Sequence, residues 1–182
     1  MIGAAMGKFR VLILSCDARR IAMLFNQGAN FKNGALAAIV AAIVALPVLA
    51  ETANFGTLNL SRGFESPTAV LRGSTGGSYS LSALANADRH KNKCLGFATP
   101  TPDHIIVLQQ KFSKLTLQVN SGGKDTTLLV QGPGNAVRCG DDAGQNKDAG
   151  IVDSDWQAGS YRIWVGTLEP GVKSDYTISV QE

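Results

Sequence analysis

From residue 51 onward the chain alternates. Leu115, Leu117 and Val119 are separated by Thr116, Gln118 and Asn120; Tyr161, Ile163 and Val165 share one parity, as do Tyr176, Ile178 and Val180. A strand sends successive side chains to opposite faces, so this period of two specifies half-buried β-strands. No segment after 51 sustains the period of an amphipathic helix, and Gly, Pro, Asn and Asp punctuate the runs. With Thr57 to Leu60, Ser78 to Leu84, His104 to Gln109 and Thr126 to Gln131 added, the pattern predicts about seven or eight strands in an all-β antiparallel sandwich. The turn sequence SGGKD, Ser121 to Asp125, predicts a hairpin between the strands on either side of it, and Glu169, Pro170 and Gly171 turn the chain between the last two strands. Residues 84–103 read as a long loop.

The first fifty residues are of another kind. The run ALAAIVAAIVALPVLA, Ala35 to Ala50, follows Lys32 and stops at Glu51. A positive flank, an apolar stretch, helix-breaking Pro47 and the small-residue end at Ala50 have the form of a Sec signal peptide cleaved between Ala50 and Glu51. The alternative is a membrane anchor, but a spanning helix wants about 20 apolar residues and Pro47 and Glu51 cut the run short. Residues 1–22 lie oddly ahead of this leader, and Met23 would begin one of ordinary length. The Ile13 to Cys16 stretch faintly resembles a lipoprotein box, with too short an apolar run before it. The domain boundary is therefore set at 50, with residues 1–50 an extension and leader and 51–182 the folded domain.

Charge follows the same division. The chain has formal charge +3, yet five of its 17 Lys and Arg and one of its 14 acids precede position 51, leaving 12 bases against 13 acids in the domain. A nucleic-acid reading loses its electrostatic footprint. Arg89, Lys91 and Lys93 around His90 form a short basic cluster, read as a solvated loop. Twenty Gly with no Gly-X-Y period, and 45% hydrophobic residues, exclude collagen-like and disordered chains.

Of the 3 cysteines, Cys94 and Cys139 follow the leader, an even pair in an oxidising compartment that predicts one disulfide. It would close a loop of about 45 residues, worth roughly 4 kcal/mol in the chain-entropy description. A zinc site finds only His90 beside Cys94 and lacks further ligands.

Two constellations suggest binding. Asp141, Asp142, Asn146, Asp148, Asp153 and Asp155 crowd a stretch that reads as a loop, and a hard calcium ion taking about six to eight oxygens would relieve their repulsion. Asp141, Asp142, Asn146 and Asp148 are the expected ligands; a solvated acidic turn is the alternative, since the spacing is not an EF-hand loop and Asx residues suit turns. Arg162 and Trp164 share the parity opposite to Tyr161, Ile163 and Val165, which predicts a partly exposed pair on a binding surface, or a Trp packed against a loop or Trp156.

The stretches DTTLLVQGPG from Asp125, RCGDD from Arg138, AGSYRIWVG from Ala158 and DYTISV from Asp175 resemble a pre-peptidase C-terminal type domain, over about residues 79–182. That family is similar to the collagen-binding domain of bacterial collagenase. The resemblance implies a jelly-roll-like β-sandwich, appended to secreted proteases or exported alone, and for some members calcium binding. The CLGF stretch from Cys94 and the PDH stretch ending at His104 point to small stand-alone bacterial exports. Proteolysis itself needs a nucleophile, a base and an orienting acid; no GDSGG, GxSxG or HExxH is present, and His90 and His104 lack a catalytic context. The resulting expectation is an exported, non-catalytic binding or accessory module for extracellular or periplasmic protein or polysaccharide, requiring no cofactor beyond possible calcium, with no nucleic acid and no membrane span once the leader is removed. A small secreted peptidase and a structural envelope protein are the alternatives.

Overall fold

The computed structural model describes residues 51–143 and 146–182. The leader, its junction after Ala50, the start at Met23 and the Cys16 box lie outside them. Twelve strands run in chain order: β1 Gly56–Leu60, β2 Val70–Ser74, β3 Tyr79–Ser80, β4 Phe97–Ala98, β5 His104–Leu108, β6 Phe112–Asn120, β7 Thr126–Gln131, β8 Val137–Gly140, β9 Asp142–Ala143, β10 Asn146–Trp156, β11 Gly159–Thr167 and β12 Asp175–Gln181. They form an all-β sandwich of a seven-stranded sheet and a five-stranded one. In the first, β11 is central, paired with β5 and β4 along one side and β7 along the other, while β1, β3 and β8 complete it. The second runs β2-β12-β6-β10-β9. Among the described residues no helix is long and apolar enough to cross a membrane.

Between the sheets the expected alternation is realised. Leu115, Leu117, Val119, Ile151, Tyr176, Ile178 and Val180 from the smaller sheet meet Ile106, Leu108, Leu128, Val130, Tyr161, Ile163 and Val165 from the larger. Burial of these apolar surfaces is the main favourable term in holding the layers together.

Several elements differ from the sequence expectation. β6 and β7 do not form a hairpin: β6 pairs with β10 and β12, β7 with β11 and β8, so the turn at 121–125 carries the chain from one sheet to the other. The long strands β5, β6, β7, β10, β11 and β12 alternate between the sheets in this way, because each brings one apolar face and must find an opposing layer to bury it. The β1–β5 pair is parallel. The strand expected over Ser78 to Leu84 is two residues long and passes into a 3-10 turn at Leu81–Ala83. Strands of two to four residues, such as β3, β4, β8 and β9, are too short to show a period, which is why about seven or eight were expected.

The largest correction concerns the acidic stretch, which is mostly the 11-residue strand β10. Its Asp and Gly content disfavours a strand by propensity. Tertiary pairing with β6, from Gly150 opposite Gln118 to Trp156 opposite Phe112, overrides it. A register shift between Asn146 and Ala149 also breaks the alternation that would have marked it.

Candidate functional site

The strand takes the acidic group apart. Asp148 is buried and accepts the Ser121 N–H at 2.8 Å, the Gly123 N–H at 3.3 Å and the Ser121 hydroxyl, so it holds the turn that crosses between the sheets. Asp153 points inward and accepts from Arg138 Nε at 2.7 Å and from Arg89 at 2.5 Å. Burial raises the Asp153 carboxyl, but the hydrogen bonds from Arg89, Ser154 N–H and His90 and the charge of Arg138 outweigh it and hold it at about 2. Asp155 pairs with Lys111 at 3.4 Å, and Asn146 stands exposed at the start of β10.

Asp141 and Asp142 remain together, and Asp125 joins them with one carboxylate oxygen of each within 4.8 Å of the others. Asp125 lies on the far side of two strands in sequence, so spacing gave no signal for it. Burial, then the charges of Asp142 and Asp125, push the Asp141 carboxyl up. Asp125 Oδ1 and Asp141 Oδ1 are out of solvent contact and accept no hydrogen bond, while Asp125 Oδ2 lies 3.4 Å from Lys147. Three hard oxygens with unused lone pairs fit the donor chemistry of a calcium ion. Asp148, already committed to the turn, is not part of that set.

The two histidines differ in their surroundings. His104 is fully buried at the start of β5; its Nε2 lies 3.0 Å from Tyr176 Oη, and its ring packs edge-on to Tyr176. Burial lowers its pKa to about 4. The neighbouring Asp103 carboxylate accepts from Val165 N–H at 2.8 Å and Asn54 Nδ2 at 3.2 Å, yet burial prevails and raises it to about 6. Together they fasten the segment before β1 to β5, β11 and β12, buried from solvent. Gly73 makes room for this cluster, since a Cβ there would stand 2.6 Å from the Tyr176 hydroxyl. His90 is half exposed, beside Asp153 at 3.1 Å.

Cys94 and Cys139 form a disulfide between the long connection and strand β8. Asp88 adds to it. Its carboxylate accepts from the N–H groups of His90 at 2.8 Å, Asn92 at 2.9 Å and Cys139 at 3.2 Å, capping its own turn while tying it to β8. Arg89 ties the same turn to Asp153 on β10. The connection is thereby held as a cover over the outer face of the seven-stranded sheet, where Leu81, Cys94, Ala98, Leu129, Cys139 and Trp164 form a second apolar cluster. Trp164 is thus not exposed: its parity is as expected, but it is 2% exposed beneath the cover, with Nε1 donating to Pro100 O at 3.3 Å. Arg162 is partly exposed, and the two do not make a joint surface.

The outer face of the five-stranded sheet has no such cover among the described residues. Arg72 of β2, Thr177 and Ser179 of β12, Thr116, Gln118 and Asn120 of β6, and Val152 of β10 are all exposed or partly so, with Val152 at 66%. Two hollows, of about 560 and 500 Å³, open on this face and share Asn120. These residues were missed as candidates because the polar half of an alternating strand looks the same whether it meets water or a ligand.

In structure the chain is similar to the pre-peptidase C-terminal domain of a collagenase from Bacillus anthracis, with 13% identity and a TM-score of 0.39 over 69% of this chain and 94% of that one. It is also similar to PliG of Aeromonas hydrophila, a periplasmic inhibitor of g-type lysozyme, with 14% identity and a TM-score of 0.33 over 69% and 96% of the two chains. No family model and no curated protein matches the sequence.

Proposed function

We propose that the chain is an exported, non-catalytic accessory module that binds extracellular or periplasmic protein or polysaccharide through the outer face of its five-stranded sheet. The observation that carries this reading is the unequal treatment of the two outer faces. One carries an apolar patch around Leu129 and Trp164 that is covered by a connection held by a disulfide and by ion pairs; the other is polar but for Val152 and carries no cover among the described residues. The Cys94–Cys139 disulfide supports an oxidising compartment and hence export. Burial of His104 speaks against the peptidase alternative. Within this reading calcium between Asp125, Asp141 and Asp142 acts as a structural ion, stabilising the link between β8 and β9 against carboxylate repulsion.

The test is a binding screen of the full chain against immobilised polysaccharides and envelope or matrix proteins, with Asn120→Arg on the open face and Lys91→Ala on the cover as paired variants. Binding lost in the first and kept in the second is the expected result. Binding indifferent to Asn120→Arg would move the site elsewhere, and a protein that binds nothing would return the structural envelope reading.

A further inference from the structure

The open face has a more specific chemistry, and an assignment of ligand class rests on the reading of that face as the binding surface. We infer that the trough running from Arg72, Asp175 and Thr177 through Asn120 to Gln118 and Asn146 binds a neutral polysaccharide chain. The two hollows meet at Asn120 and together cross β2, β12, β6 and the start of β10. Both are shallow and open to solvent, so their union suits an extended chain lying along the surface and not a small molecule enclosed in a pocket.

The lining is what a sugar needs. Amides, a carboxylate and a guanidinium are planar groups with two hydrogen-bonding atoms side by side, and adjacent sugar hydroxyls both donate and accept. Five of the six named residues carry such a group. Two of them are already oriented. Asn120 Oδ1 accepts the Gly122 N–H at 3.1 Å, which leaves its NH2 as a donor. Gln118 Nε2 donates to Val119 O at 3.0 Å and Ala149 O at 3.3 Å, which leaves its Oε1 as an acceptor. Side chains fixed before binding lose less entropy when a ligand arrives. Gly150 contributes by omission: a Cβ there would stand 2.9 Å from Gln118 Oε1 and 2.8 Å from the Ala143 Cβ, so glycine lets the Gln118 amide lie across β10.

The charge and polarity of the trough select among ligands. Arg72 and Asp175 offset each other, so the cation surplus that holds a polyanion is missing. The ring of Tyr176 is turned into the core, and Val152 is the one large exposed hydrophobic on this face among the described residues, so the aromatic and apolar anchors of a protein interface are missing as well. A ligand rich in uncharged hydroxyls matches what remains.

Calorimetric titration of the full chain with cellohexaose, chitohexaose, maltohexaose and laminarihexaose, and with oligogalacturonate and a heparin hexasaccharide as anionic counterparts, tests the assignment. At least one neutral oligosaccharide is expected to bind in preference to both anionic ones, with Asn120→Ala and Gln118→Ala each weakening it about tenfold, the scale of one lost hydrogen bond. Thermal melts of the variants separate loss of binding from loss of fold. Preference for an anionic ligand, or neutral binding that ignores both substitutions, overturns the assignment. If every sugar fails while Asn120→Arg still abolishes binding to an immobilised protein, the open face stands as the binding surface and the polysaccharide assignment falls; if neither responds, both fall.

Discussion

The two outer faces of this sandwich begin from the same strand geometry and end differently. On the seven-stranded sheet the outward positions of β7 and β11 include Leu129 and Trp164, which a disulfide-tied connection buries, while Thr57, Asn59 and Ser160 toward the β1 edge stay exposed. On the five-stranded sheet the outward positions carry Thr116, Gln118, Asn120, Thr177 and Ser179, and they stay in contact with water. The contrast is written in the strands: β7 has a continuous Leu128, Leu129, Val130 run and is buried on both sides, whereas β12 alternates throughout. A sheet face that is apolar needs a second layer; a polar one does not, and is free for a partner.

Trp164→Ala should break the comparison most severely. Deleting a buried Trp costs about 3–5 kcal/mol, so the melting temperature should fall sharply in this variant. Asp153→Asn attacks the cover from the other side. It leaves Arg138 buried beneath its stacking contact with Trp156, 3.9 Å away, without its carboxylate. Breaking a buried pair by removing one partner costs about 3 kcal/mol or more, to be read from denaturant midpoints.

A smaller effect is expected at the buried pair beneath β1, and it is visible in pH. His104 is held at about 4 against an ordinary 6.5, so the unfolded chain takes up this proton first and acidification from pH 6.5 towards 4 destabilises the fold. Asp103 is raised to about 6 from 3.8, so the folded chain takes up that proton first and the same acidification stabilises it from about pH 6 downward. Asp103→Asn removes the compensating half. Its melting temperature should therefore fall more steeply than that of the natural protein between pH 6 and 4; parallel curves would contradict the linkage. The least effect belongs to the open face, where Val152→Thr should change stability by no more than about 0.5 kcal/mol.

How much of this was legible follows from the residues themselves. Alternation in β6, β11 and β12 specified the sandwich and its inner face, and two cysteines after the leader specified the staple. β10 was not legible, because Asp153 sits at an inward position that Arg89 and Arg138, both distant in sequence, make tolerable. Asp125 joins Asp141 and Asp142 only once the chain has crossed between sheets and returned through β8. Trp164 was assigned its correct side, but its cover depends on where the 84–103 connection folds back, a matter of long-range closure by Cys94 and Asp88. The trough is a meeting of β2, β12, β6 and β10 with the turn after β6, each of which, taken alone, reads as an ordinary solvated edge.

Acrylamide quenching of tryptophan emission, before and after reduction, tests the central contrast most directly. Trp156 and Trp164 are both buried, but only Trp164 lies under the disulfide-tied cover. In the oxidised protein both should resist the quencher, and reduction should expose one emission component that Trp164→Phe removes. Ready quenching of Trp164 with the disulfide intact would mean that the seven-stranded sheet is open too, and that the two faces do not differ in the way this fold requires.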